Sequence, residues 1–273
     1  MQVSQSSACR DGIVSRLRAA GCVFAEEEAD LLLADDRHPE VLAARLEQRA
    51  AGMPLEQVLG WAEFCGLRVA VAPGVFVPRR RTEFLVQRAA EVAPAGTAVV
   101  VDLCCGSGAV GAALNKLLAP AELHAVDVDP AAVTCARQNL PAAQVHEGDL
   151  FDALPSGLRG RVDVLAANVP YVPTREIALL PAEARLHETA WALDGGADGL
   201  AVMRRVGAGA PEWLAPGGSV LVETSERQAE AAAGVFERCG LAAAVAYSPE
   251  HGSAVVAGTR RSSRSAPWSP CTR

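Results

Sequence analysis

The stretch Val101-Asp102-Leu103-Cys104-Cys105-Gly106-Ser107-Gly108-Ala109-Val110-Gly111 decides the fold. An apolar run ends on an acid, passes through small residues and two glycines, and continues in a helical pattern. Small residues at a strand-to-helix turn let a ligand approach the backbone N–H groups. Asp127 closes the next apolar run, placed to bond a ribose diol, and Asp149 follows the third, a suitable place for an adenine amino group. The spacing Gly106-x-Gly108-x-x-Gly111 with an acid about 20 residues on is also the dinucleotide fingerprint, so nicotinamide or flavin chemistry is weighed against it. Three features oppose that chemistry. Asp102 would repel a pyrophosphate but would bond the ammonium of an amino-acid moiety, the turn lies well into the chain behind a separate region, and Asp149 adds a third acid. An acid, a glycine turn and two further acids suit a cationic sulfonium cofactor better.

Outward from this turn, short apolar runs alternate with helical patterns. Strands are predicted at 98–103, 123–127, 144–146, 162–166, 219–223, 242–247 and 254–257, with helices between them, such as 110–118 and 131–139. Such alternation predicts a doubly wound α/β fold, its sheet parallel except at the C-terminal edge. Residues 1–60 read as a small helical domain, with Ile13, Leu17 and Ala20 at helical spacing and Gly21 as a C-cap. Residues 61–77 read as a β-hairpin linker turning at Pro73-Gly74, 78–258 as the main domain, and 259–273 as a disordered basic tail. The run Glu26-Glu27-Glu28 reads as a solvated face or helix N-terminus, with a docking role as the alternative, and Arg79-Arg80-Arg81 as a solvated turn, with contact to an acidic partner as the alternative.

Composition excludes other classes. The 273 residues are 50% hydrophobic and 21% charged, as in a globular protein. The net charge of −7 argues against a chain that grips nucleic acid by charge alone, although the last fourteen residues hold four arginines and no acid. No stretch approaches the roughly 18 apolar residues of a membrane span. The start MQVSQSSACRDG lacks an apolar h-region, so a cytoplasmic location is expected. The eight cysteines show no C-x-x-C spacing and the five histidines no ligand spacing, so neither a metal site nor a disulfide framework is expected. No G-x-S-x-G elbow or P-loop is present.

The second chemical motif is Asn168-Val169-Pro170-Tyr171, directly after the predicted strand 162–166. Ligands of open parallel sheets bind at the carboxyl ends of the strands, so this tetrapeptide and Gly106 face one cleft. An amide or aromatic amine is a poor nucleophile because its lone pair is delocalised. The Asn168 side-chain oxygen and the Val169 carbonyl can accept hydrogen bonds from such an NH2 group and aim its nitrogen at an electrophilic carbon. The ring of Tyr171 can pack on the substrate plane. That is catalysis by positioning and electrostatics, without a metal.

With both motifs in view, the chain resembles the amino methyltransferases, and within them the glutamine-N5 methyltransferases that modify peptide-chain release factors and relatives acting on a ribosomal protein. Segments 25–33, Leu59-Gly60, Glu63-Phe64, 75–79, Thr82-Glu83, 148–151, 192–199, Glu223 and Gln228 look like that family in order and spacing. The resemblance implies a Rossmann-like class I methyltransferase with a mostly parallel seven-stranded sheet, preceded by a helical substrate-recognition domain. It implies S-adenosyl-L-methionine as cofactor and a protein substrate with an exposed glutamine, a release factor or ribosomal protein. By the same resemblance Asp102 and Cys104, Cys105, Gly106, Ser107 and Gly108 wrap the methionine part, Asp127 holds the ribose, Asp149 and Leu150 flank the adenine, and residues 78–83 lie near the cofactor. Asn168, Val169, Pro170 and Tyr171 hold the glutamine amide.

Four positions depart from the family pattern: Cys104 replaces the first turn glycine, Arg80-Arg81 replaces Pro-Glu, and Val169 replaces the first proline of the tetrapeptide. Val169 precedes Pro170 and is thereby biased to extended geometry. The chain looks like a divergent branch that carries Asn-Val-Pro-Tyr. Alternative expectations are an adenine-N6-type nucleic-acid methyltransferase, or an impaired protein that only binds the cofactor.

Overall fold

Leu17, Ala29 and Leu32 are fully buried because α1 (Gln2–Ala19), α2 (Ala25–Asp35), α3 (Pro39–Ala50) and the short α4 (Leu55–Leu59) close around them with Ile13 and Val58. This is the N-terminal unit of a computed structural model that describes residues 2–35, 38–94, 98–250 and 252–262. The acidic run opens α2, where the helix dipole favours it. Glu28, however, is not solvated: it is buried and accepts from Arg49 Nε at 2.6 Å and Nη2 at 3.0 Å. A charge in that core is tolerated only because the guanidinium matches both carboxylate oxygens.

The hairpin that follows differs from the expected one. β1 (Trp61–Phe64) and β2 (Leu67–Ala70) pair antiparallel from Trp61↔Ala70 to Phe64↔Leu67, so the turn is Cys65-Gly66 rather than Pro73-Gly74. Both turn residues have positive φ, 49° and 64°, which a two-residue hairpin loop requires to match the strand twist. Residues 75–77 are not a strand; Val75 and Val77 are instead buried, and Gly74 bridges Glu188.

After α5 (Glu83–Val92) comes the sheet: β3 (Val99–Leu103), α6 (Ala109–Leu118), β4 (Glu122–Asp127), α7 (Pro130–Asn139), β5 (Gln144–Glu147) and β6 (Val162–Ala167). Then follow α8 (Ala182–His187), α9 (Ala190–Leu193), α10 (Ala201–Trp213), β7 (Leu214–Thr224), α11 (Ala229–Arg238), β8 (Ala242–Ser248) and β9 (Ser253–Thr259). The strand order is β5-β4-β3-β6-β7-β9-β8, parallel from β5 to β7 and antiparallel at β9 and β8. Every residue of β3 is buried, as an apolar central strand covered on both faces must be. Leu103, Val126, Leu165 and Val222 pack under α10 and α11 through Met203, Val206 and Phe236. Val100, Ala125, Val164 and Leu221 pack on the other face against Leu85, Leu114 and Phe64.

All seven predicted strands are present, with ends shifted by a residue or two except in β7, which reaches back to Leu214 through an irregular register against β6. At the C-terminus, Thr259 belongs to β9, and Arg260 exchanges backbone hydrogen bonds with Gly217 and Gly218, each at 2.9 Å. The sheet's backbone therefore claims the first two residues of the expected tail; residues 263–273 lie outside the described residues. Among the described residues no helix is long and apolar enough to cross a membrane.

Two polar contacts lock this framework. Asn139, the last residue of α7, accepts from Ala70 N–H at 2.8 Å and donates to the carbonyls of Ala70 at 2.9 Å and Ser107 at 2.8 Å. It thereby clamps β2 to the glycine turn. His124 and His146, isolated in sequence, stack with ring centroids 5.4 Å apart and share a hydrogen bond of 3.0 Å between Nδ1 and Nε2. Burial lowers the pKa of both, and the neighbouring imidazole lowers that of His124 further.

Asn139→Ala takes the side-chain partner from the Ala70 N–H and the Ser107 carbonyl, while Cys135 Sγ stays on the Ala70 carbonyl at 3.0 Å, and is expected to cost about 1–3 kcal/mol, read by denaturant titration. The histidine pair adds a pH dependence. Its folded pKa values lie below the unfolded value of about 6.5, so the unfolded chain binds more protons, and stability falls as pH drops below about 6.5. Between about pH 7.5 and pH 5.5, the His124→Gln/His146→Gln variant is expected to lose less thermal stability than the parent chain; an equal loss would exclude the pair as its source.

Candidate active site

The order of the sheet reverses at β3, which pairs with β4 on one side and β6 on the other, and at such a switch point the connecting segments diverge and leave a crevice. A cavity of about 520 Å³ opens there at the carboxyl ends of the strands, within the size range of small-molecule sites. Its walls bring together Asp102, Cys104, Cys105, Gly106 and Ser107 from the first turn, Asp127 from β4, Asp149 and Leu150 after β5, and Asn168, Val169, Pro170 and Tyr171 after β6. Gly108 alone of the expected set faces elsewhere. It opens α6 at φ +78°, and a Cβ on it would stand 2.9 Å from Leu140 Cδ1.

The first turn is held from below. Cys105 N–H donates to the Val126 carbonyl at 2.9 Å and Gly108 N–H to the Cys105 carbonyl at 2.7 Å. Asp102 is buried, and one of its oxygens accepts from Gly111 N–H at 2.7 Å. Burial pushes its pKa up to about 7, with a further push from Asp127, so a cation arriving in the cavity would favour its charged form. Cys104 adopts φ +58°, a conformation natural to the glycine it replaces. Burial and then the surrounding acids raise its thiol pKa strongly.

Asp127 accepts from Gly106 N–H at 2.8 Å and from Asp129 N–H at 3.0 Å. Both oxygens are thus oriented, and each keeps a lone pair. Burial raises its pKa in spite of these bonds. Asp149 sits half exposed at the rim and pairs with Arg205 at 2.7 Å, a partner absent from the sequence expectation. Five acids, Asp102, Asp127, Asp129, Asp149 and Asp194, line the cavity against two arginines, Arg81 and Arg205. A cationic sulfonium with an ammonium group and a ribose diol fits this donor set, whereas a pyrophosphate does not.

The tetrapeptide is fixed from three sides. Gln228 Nε2 donates to the Tyr171 carbonyl at 3.0 Å and the Asp198 carbonyl at 3.1 Å. A Cβ on Gly199 would stand 2.3 Å from the Tyr171 oxygen, so only glycine, here at φ +77°, lets the two backbones meet. The Tyr171 hydroxyl donates to Glu223 Oε1 at 3.2 Å, and the Asn168 side-chain NH2 donates to Thr82 Oγ1 at 3.4 Å.

The arginine run is largely solvated, but two of its guanidinium groups have acidic partners. Arg79 pairs with the buried Glu188 at 2.5 Å, and Arg81 with the buried Glu223 at 3.2 Å, its guanidinium 5.4 Å from the centre of the Tyr171 ring. Arg80 and Arg81 keep the exposed character expected of the run, and Arg79 is half-buried. Arg79 and Arg81 each turn a guanidinium onto a buried carboxylate, since neither acid could stay charged in the core without a counter-ion. The segment 78–83 was expected near the cofactor, and Thr82 lines the cavity; Arg205, which also lines it, and Glu188, which holds Arg79 behind it, were not expected. The contacts of these two cross 56 and 109 positions of chain, and no local pattern marks them.

The family model described as Methyltransferase small domain matches residues 66–206. The release factor glutamine methyltransferase of Geobacter sulfurreducens is 40% identical over 210 residues, which cover 74% of this chain and 72% of that protein. That of Mycolicibacterium smegmatis is 39% identical over 245 residues, covering 81% and 86%. Two solved structures share the fold. A methyltransferase from Pyrococcus furiosus matches with a TM-score of 0.55 and 15% identity over 80% of this chain and 98% of that one. The 16S rRNA N2 G1207 methyltransferase of T. thermophilus, solved with AdoMet and guanosine, matches with a TM-score of 0.51 and 23% identity over 74% and 50%. Identity of this degree to full-length relatives, over most of both chains, has one meaning: this chain belongs to the release factor glutamine methyltransferase family.

Proposed function

We propose that this chain transfers the methyl group of S-adenosylmethionine to the side-chain amide nitrogen of a glutamine in a peptide-chain release factor. One observation carries the proposal: the tetrapeptide Asn168–Tyr171 and the acids at the ends of the neighbouring strands line a single cavity. S-Adenosylmethionine, when bound, supplies an electrophilic methyl carbon on a sulfonium. Asp127 would take the ribose hydroxyls, Asp149 and Leu150 the adenine side, and Asp102 with the backbone of 104–107 the amino-acid end.

The rest of the work falls to this chain's own groups. The Asn168 Oδ1 and the Val169 carbonyl accept the two N–H bonds of the substrate amide, which aims the nitrogen lone pair at the methyl carbon. In-line displacement needs the two atoms about 3–3.5 Å apart. The ring of Tyr171 bounds the substrate plane. Val169 serves as well as proline in this role because the acceptor is a main-chain oxygen, and its burial against the core holds the backbone in place. The helical unit of α1–α4 with the β1–β2 hairpin is the part proposed to dock the protein around the glutamine.

The test is methyl-labelled S-adenosylmethionine with hypomethylated release factor, followed by protease or nuclease treatment and mass spectrometry. Label on a release-factor glutamine is expected. Label on a ribosomal protein would move the substrate, label lost to nuclease would move the acceptor to a base amine, and cofactor binding without label on any of these would mark an impaired enzyme. Asn168→Ala is expected to abolish turnover, a loss of at least about 10²-fold, while cofactor affinity by calorimetry stays largely unchanged. Loss of both together would overturn the role of Asn168.

A further inference from the structure

Trp191 lines the cavity, yet it is 77% exposed. It stands on α9, in the middle of a rim segment, 187–195, whose two ends are fixed. At the first end Gln57 Nε2 donates to the His187 carbonyl at 3.2 Å, and Glu188 accepts from Arg79 at 2.5 Å and from Val77 N–H at 3.2 Å. At the other, Val172 N–H donates to the Leu193 carbonyl at 3.1 Å, and Gly195 N–H to the Val172 carbonyl at 2.8 Å. Asp194 closes this end by accepting from the Thr174 hydroxyl at 2.7 Å and from Gly196 N–H at 2.9 Å. A Cβ on Gly195 would stand 2.8 Å from the Pro170 carbonyl oxygen, so the segment lies directly against the tetrapeptide. The backbone under Trp191 is thus held on the acceptor side of the cavity, while the indole faces solvent. Leu179 and Leu186 are also exposed, but neither lines the cavity.

We infer that Trp191 is a specificity residue for the polypeptide around the acceptor glutamine, its indole face packing on the main chain that flanks that residue. The inference rests on the reading of Asn168 and Val169 as acceptors for the substrate amide. A glutamine side chain is short. With its amide seated at Asn168, its own Cα and the adjoining peptide groups lie in the cavity mouth, where Trp191 stands. An indole ring covers a large area with few rotatable bonds, and a backbone fixed beforehand avoids the cost of ordering a loop on binding. The flanking peptide planes do not change as the methyl moves, so their contact with the ring is equally strong before and during the reaction. Trp191 therefore selects which acceptors are held and leaves the speed of transfer to the tetrapeptide. It separates a glutamine within a chain from a free amide of the same shape. The proposed cofactor contacts, Asp127, Asp149 and Leu150, come from β4 and from the segment after β5.

The experiment uses the full chain with Trp191→Ala, Trp191→Phe and, as a control outside the cavity, Leu186→Ala. With hypomethylated release factor as acceptor, Trp191→Ala is expected to raise KM for the protein about tenfold or more, with kcat and the cofactor Kd nearly unchanged. Trp191→Phe should recover most of the loss, and Leu186→Ala should change none of the three. The second readout needs no release factor. The Trp191 indole N–H resonance, assigned by its loss in Trp191→Phe, is followed with S-adenosylhomocysteine present during two titrations. N-acetylglutamine N-methylamide carries a peptide group on each side of the glutamine; propionamide carries the amide alone. The indole is expected to shift with the first and to stay with the second. An unchanged KM, a fall in kcat without a rise in KM, or an indole that ignores the capped glutamine overturns the inference. Lost cofactor affinity in Trp191→Ala overturns it too, by giving the ring to the cofactor, as does an equal rise in KM in Leu186→Ala, which would make the contact a broad docking face. If the parent chain methylates no release factor, the proposed substrate fails, and the capped glutamine still decides the role of Trp191.

Discussion

The parallel pairing of β3 with β4 on one side and β6 on the other is the constraint on which the rest depends. Parallel neighbours send all their carboxyl ends to one edge, and the reversal of strand order at β3 parts the segments that leave them. The glycine turn, Asp127 and the tetrapeptide come from three different strands, and only this topology sets them around one volume. The core is arranged to keep it so: β3 is apolar on both faces, and a slip in its register would move Asp102 out from under Gly111.

The energetic character of the site is that of buried charge managed by direction. Asp102, Asp127 and Glu223 all have pKa values raised by burial, and each is kept useful by donors aimed at it: the backbone N–H groups of Gly111, Gly106 and Asp129 for the first two, and Arg81 and Tyr171 for the third. Such groups are expensive to desolvate and are preorganised once paired. The cavity therefore has an anionic floor and an oriented polar wall before any ligand arrives, and the free energy for that order comes from folding.

What the sequence made legible was local. A strand of valines ending in Asp102, two glycines, and acids closing the next strands identify a switch-point site without any contact being known. Asn168-Val169-Pro170-Tyr171 identifies itself because its chemistry is carried by adjacent residues. The hairpin turn was misplaced because Pro73-Gly74 is a stronger turn signal than Cys65-Gly66, while the register of β1 on β2 was decided by cross-strand pairing. The ion pairs of Arg79 and Arg81 were not visible because their partners, Glu188 and Glu223, are brought near only by the closed fold. Glu28 was misjudged for the same reason: nothing within its own helix announces Arg49.

Asn139 ties the carbonyl of Ser107 to both backbone groups of Ala70 through a single planar amide. Ser107 belongs to the ligand-facing turn and Ala70 to the hairpin leading back to the helical unit. A rigid amide cannot release one partner without straining its bonds to the other. Whatever steadies the turn thus steadies the hairpin. One side chain at the end of a helix makes the order of the ligand-facing turn and the order of the hairpin a single property of the fold.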